Sequence, residues 1–394
     1  MRLLRTAVCS ALLFGPPLSS APVSQDSDKP SQREVIRKFL EAQRLASTGD
    51  KSGALNALEV VAQSRRGFFP GPQSSLSKYL DDPAFGDIIA RLNADFHRTA
   101  NGRIAYRLTG RTLMPEGIAY DADSRSLFLS DWYKRTIYRL PLEGKPRAFV
   151  SMAELTPNGM SVDRRRHLLW STATNAFRGA RQPRSALWRI DLKTGAKRIF
   201  STADGKGFND VAVAPNGDVY VSDTVTGQIF RLRRGAESLA PLLSPDDHFN
   251  APNGLTLDDS GTYLFVAQAI TPYRIRLSDG TAEPLKLPAD LDMIGTDGFY
   301  FHDGDLYAVQ NLTTPGTVLR LSLNKAMDTV TSVETLDSGN PKFDLPTAGA
   351  FVGGDFLVLA NSQLYRAASE RPVDRKALKP LLILRYPARK RAAS

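Results

Sequence analysis

The sequence holds a single cysteine, Cys9, and it sits in an apolar N-terminal stretch that reads as a removable leader. The remaining chain therefore has no disulfide, no thiol nucleophile and no cysteine-based zinc site. Histidine is nearly as scarce, with four in 394 residues, and no Ser-His-Asp order suited to nucleophilic catalysis is evident. The apolar stretch from Ala7 to Phe14 is too short to span a bilayer. The formal charge of +10 is scattered rather than gathered into a basic helix. With neither zinc-finger spacing nor an aromatic-basic motif, nucleic acid is not an expected partner.

What is present begins with that leader. Arg2 and Arg5 precede the apolar stretch, and Ser19, Ser20 and Ala21 follow it, which predicts a signal peptide over 1–24 and a secreted or periplasmic protein. The run Arg389-Lys390-Arg391 reads as a solvated tail over 389–394. Between 25 and 100 the pattern is helical. Ser31 and Glu34 form a capping box, Val35, Phe39 and Ala42 recur at helical spacing, and Gly49 stops the run. A second helix is predicted from Lys51 to Gln63 and a third from Asp82-Pro83, carrying Ile88, Ile89 and Leu92. This segment is a candidate surface for a protein partner.

From residue 101 to 388 one pattern recurs. A short strand opens with a polar residue, usually followed by glycine, at Glu116, Asn158, Asn209, Asn253, Asp297 and Ala348, at spacings of 42, 51, 44, 44 and 51. A turn and second strand follow, such as Val219 to Asp223. A third has an aliphatic–x–Arg–Leu rhythm, as in Ile137-Tyr138-Arg139-Leu140. The period-two rhythm predicts one face packed between blades and one in solvent. Units of this length with several strands each are propeller blades. The sixth lacks a fourth strand, while Ile104 to Leu108 has no partner of its own. The fold predicted is all-β: a six-bladed β-propeller whose N-terminal strand closes the last blade, preceded by a small α-helical segment.

The innermost strand of each blade lines a propeller's channel, so the residues opening those strands converge on its axis. Two carboxylates and three amides supply hard oxygen donors, which suit calcium or another divalent cation such as magnesium rather than zinc. Asn-Gly is also the commonest hairpin dipeptide, and Asn216-Gly217 exemplifies that plain turn role. Turn chemistry does not explain why Glu116 shares the phase of the others.

In these motifs the sequence resembles the senescence-marker-protein/gluconolactonase (regucalcin-like) family, and more distantly the paraoxonases and strictosidine synthases. The resemblance spans roughly 104–388. It rests on Glu-Gly-Ile-Ala-Tyr at Glu116, Phe-Asn-Asp at Asn209, Pro-Asn-Gly-Leu at Asn253 and Thr-Asp-Gly at Asp297. It implies one divalent metal held by Glu116, Asn209, Asn253 and Asp297, with Asp297 also the general base. Gly207 stands where gluconolactonase-like members carry a sugar-binding Arg, and Asn158 where paraoxonases have a channel-facing His. The expected activity is metal-dependent hydrolysis of a lactone or related ester, with Asn158 and Asn209 orienting the substrate and His248 at the rim. A non-catalytic, calcium-stabilised binding propeller is the alternative. Carbon–carbon bond formation is a third reading, disfavoured by the metal-ligand set. His97, His167 and His302 are expected to be surface or strand-turn residues.

Overall fold

The computed structural model describes residues 30, 32–65, 67–71, 74–110, 112–244, 249–311, 315–367 and 373–388. The predicted leader and tail, Ser31 of the capping box and His248 lie outside these. Among the described residues no helix is long and apolar enough to cross a membrane.

Helices α1 (Gln32–Thr48) and α2 (Lys51–Ser64) form a hairpin. Gly49, at φ 89°, makes the left-handed stop between them. Asp50 caps α2 by accepting a hydrogen bond from the Gly53 N–H at 2.9 Å. Asp82 caps the short turn Pro83–Phe85 that leads into α3 (Gly86–Asp95). Val35, Phe39, Ala42, Leu58 and Val61 are buried as their spacing predicts. Arg91 clamps Glu59 through two hydrogen bonds of 2.9 and 2.6 Å, tying α3 to α2.

Six antiparallel sheets follow, within residues 115–151, 156–200, 208–241, 255–284, 296–338 and 349–387. The first strand of each touches the first strand of the next, and that of blade six returns to that of blade one, closing the ring. Blade six is completed by Arg103–Leu108, which pairs antiparallel with Leu381–Pro387. Both would-be edges are thereby removed. Blade five gains an unforeseen fifth strand, Thr99–Ala100, against Val330–Ser338. The N-terminal linker thus stitches two adjacent blades.

The core lies between blades. Phe128 and Ile137 of blade one pack with Leu169 and Trp188 of blade two, and Phe265 of blade four with Phe299 and Leu319 of blade five. Second strands are covered on both faces. Ser126–Asp131 and Val219–Asp223 are buried throughout, because each blade is covered by a neighbour on both faces.

The helical segment is joined to this ring. Ile294, fully buried in the loop before the first strand of blade five, belongs to the helical core, and Ile270 of blade four packs on it. Since strand one starts at this face of the ring, the helices sit beside the channel mouth over blades four and five.

Candidate functional site

Each blade runs its first strand away from the mouth, so a residue opening that strand is held at the channel entrance. Glu116, Asn209, Asn253, Asp297 and Ala348 line one small cavity there, with Asp210, Tyr300 and Thr347. Its volume is about 20 Å³, enough for an ion or a water. None of the ring asparagines has a positive φ. Asn216, by contrast, accepts a hydrogen bond from the Asp218 N–H at 2.9 Å in a turn. The turn reading applies to Asn216 alone.

Asp297 is the most supported group. Asn253 donates Nδ2–H to its Oδ1 at 2.9 Å, and Asn311 donates Nδ2–H to its Oδ2 at 2.6 Å. Asn311 also reaches the Pro346 carbonyl at 2.9 Å, which fixes it between blades five and six. Asn209 donates Nδ2–H to Thr224 Oγ1 at 2.9 Å, and Thr224 donates onward to the Pro252 carbonyl at 2.7 Å. That relay turns the amide so that its Oδ1 is left to the cavity. Backbone carbonyls at the mouth are latched from the preceding blade: Ser130 donates to Asn158 O at 2.7 Å, Thr172 to Asn209 O, and Ser222 to Asn253 O at 2.7 Å.

Asn158 is placed differently from its expected substrate role. It is buried, does not line the cavity, and donates Nδ2–H to the Phe208 carbonyl at 2.9 Å. One amide hydrogen is thus already engaged inside the ring. His248 lies outside the described residues. His97 and His167 are exposed, and His302 stacks on Phe351 at 4.0 Å in the strand-turn region expected of it.

The residue that sequence reasoning missed is Asp210. The position after each ring residue is glycine in five blades, Gly117, Gly159, Gly254, Gly298 and Gly349, and aspartate only in blade three. Glycine is needed where strand one of a blade nearly touches the next: a Cβ on Gly254 would lie 2.5 Å from the Asp297 carbonyl oxygen. The Asp210 carboxylate occupies the space beside Gly159, accepting hydrogen bonds from the Val211 N–H at 2.8 Å and the Leu255 N–H at 3.2 Å. That single break in the glycine column was the available signal.

Three carboxyl groups thus share the mouth. Burial, then the nearby Asp297 and Asp210, push Glu116 well above the usual carboxylate range. Burial pushes Asp210 up to about 7, opposed by its two N–H bonds, with Asp297 adding to the rise. Burial likewise pushes Asp297 up to about 6, against the pull of the Asn311 and Asn253 bonds. A divalent cation would relieve all three. Among the described residues no three His, Cys, Asp or Glu side chains could hold a metal by themselves, so a fit depends on the amide oxygens. Asn209 offers one. Asn253 currently faces Asp297 with its nitrogen and would have to turn.

The site stands beside known proteins as follows. The family model described as the SMP-30/gluconolactonase/LRE-like region matches residues 114–344. No curated protein matches the sequence. A gluconolactonase from Xanthomonas campestris has a similar structure, with TM-score 0.52 and 18% identity, covering 73% of this chain and 90% of its own. A putative glucose dehydrogenase from Thermus thermophilus gives TM-score 0.50 and 15% identity over 72% of this chain and 100% of its own. The calcium-binding protein regucalcin of Agrobacterium tumefaciens gives TM-score 0.48 and 16% identity over 73% and 96%. At these identities the first two structures speak for the fold alone, and the family match covers more than half of the sequence. The chain belongs to the SMP-30/gluconolactonase/LRE-like family.

Proposed function

We propose that this protein hydrolyses a lactone or related ester at the channel mouth with the help of a divalent cation, calcium being the first to test. The observation that carries the reading is the convergence of Glu116, Asn209, Asn253 and Asp297, from four blades, on one ion-sized cavity. Those four residues would hold the ion. When bound, it supplies Lewis acidity at the ester carbonyl and charge stabilisation for the developing oxyanion.

The chain's own groups do the rest. Asp297 takes the proton as water attacks the carbonyl carbon, and returns it to the departing alkoxide oxygen, releasing a hydroxy acid and restoring the site. Asn311 keeps its carboxylate oriented, so that the oxygen accepting the proton is held in place. The substrate sits above the ion-sized cavity.

The test is turnover on a panel of lactones of several ring sizes and aryl esters, with and without chelator. Asp297→Asn should lower hydrolysis by roughly 10²–10⁴. Calcium-loaded wild type that hydrolyses nothing across the panel would favour the binding propeller, which the small cavity also accommodates. The leader further supports a proposal of export to the periplasm or beyond, checked by fractionation of cells expressing the full chain.

A further inference from the structure

On the blade-two side of the mouth, the Arg178 guanidinium has a nitrogen with no hydrogen-bond partner among the described residues. Arg178 ends a short helical turn, Ala176–Arg178, in the loop between strands two and three of blade two. Strand two ends at Thr174, opposite Thr156 and so at the mouth face, two residues before Asn158. The guanidinium lies over the Trp132 ring, 5.3 Å from its centroid. Trp132 opens the corresponding loop of blade one and donates its N–H to the Met114 carbonyl at 3.0 Å, two residues before Glu116. It is 2% exposed, packed with Met114, Leu364 and Leu378, so the platform is rigid.

Nη1 of Arg178 is buried and has no hydrogen-bond partner among the described residues. Burial lowers its pKa, Arg135 lowers it further, and Tyr133 alone acts the other way; none of these is a carboxylate. A half-buried guanidinium beside a second one is unfavourable unless something anionic joins them. The flanking loops add Lys134, Arg181 and Lys206 against Asp204, while Arg184 is paired with Glu154 at 2.8 Å. Gly207, by contrast, has no room for a side chain, because its Cβ would lie 2.8 Å from that of Val225.

We propose that Arg178, on its Trp132 platform and beside Arg135, anchors the carboxylate of an acidic lactone or ester entering the mouth; this rests on the hydrolase reading above. A guanidinium presents two parallel N–H donors that match a carboxylate, and the aromatic face beneath does not compete for those donors. The surrounding positive loops draw an anionic substrate to the same side. Substrate choice would then lie in the loops of blades one and two, while bond cleavage belongs to the ring residues.

The experiment uses the full chain and two readouts. Glutarate, at fixed ionic strength with a chloride control, should raise the melting temperature of wild type, leave Arg178→Gln unmoved, and act partially on Arg178→Lys. With a lactone carrying a free carboxylate and its methyl ester, the kcat/KM ratio should favour the acid and fall roughly tenfold or more in Arg178→Gln. An Arg178-dependent glutarate shift without hydrolysis of any substrate supports the anchor and counts against the hydrolase. Equal glutarate shifts in wild type and Arg178→Gln overturn the anchor.

Discussion

Gly159 leaves the room that the Asp210 carboxylate fills. A Cβ on Gly159 would overlap Oδ1 of Asp210, and would also come within 2.7 Å of its Cα and 2.9 Å of the Asn209 carbonyl oxygen. Gly159→Ala should therefore destabilise the protein by about 1–3 kcal/mol through overpacking. Because part of the clash is with the carboxylate, Gly159→Ala/Asp210→Gly should be less destabilised than the sum of its two single variants. Urea unfolding of the four proteins checks this, and strict additivity would show that the two residues do not meet.

The carboxyl groups at the mouth set a direction for pH. Burial raises Asp210 to about 7 and Asp297 to about 6, whereas unfolded carboxyl groups titrate near 4. Between those values the folded chain keeps protons that the unfolded chain has released, so unfolding becomes easier as pH rises. Chelator-treated protein should melt at a higher temperature near about pH 5 than near about pH 8, and Asp210→Asn should flatten the slope. Added calcium, which favours the ionised carboxylates, should shrink or reverse the difference. Calorimetry across that window decides it.

Calcium should stabilise chelator-treated protein by RT ln(1 + [L]/Kd), about 2.7 kcal/mol at a hundredfold excess over Kd. Glu116→Ala and Asp297→Ala should remove most of that gain, and Asn209→Ala a part. Asn216→Ala should keep it, since Asn216 serves a turn. An equal response from all four variants would detach the cavity from the ion.

The helical segment is bound to the ring through Ile294, which is 0% exposed. Ile294→Ala should cost about 2–5 kcal/mol, and deleting 25–95 would expose the same side chain together with Ile270. Deleting 101–109 should act elsewhere. It frees the edge of Leu381–Pro387, and aggregation should follow. Soluble, monomeric protein from the second truncation would mean that blade six tolerates three strands.

The fold was legible because it repeats. Six phases of one motif, and a strand left over at each end, specify a closed ring without any single strand being certain. The same phase put Glu116, Asn209, Asn253 and Asp297 at one place, since residues that open equivalent strands must meet at the axis. What was not legible lies off that phase. Asn311 follows strand two of blade five, off the phase of the ring residues, and its bond to Asp297 appears only once blades five and six are side by side. Tyr300 reaches the mouth from within a strand and accepts a hydrogen bond from the Gly349 N–H of the next blade at 2.8 Å. Thr99–Ala100 is too short to carry a strand signal. Arg178 sits in an irregular loop, where periodicity says nothing about burial.

The strand that completes blade six is translated near the start of the chain, and the one it pairs with, Leu381–Pro387, near the end. Arg103–Leu108 therefore waits through the synthesis of five blades before its partner exists. Long-range pairing of this kind is slow and leaves unpaired edges exposed in the meantime. A chain cut short by premature termination or proteolysis keeps that edge open. The seam between the first and last strands thus acts as a completeness check: only a chain made to its end can hide every edge of its ring.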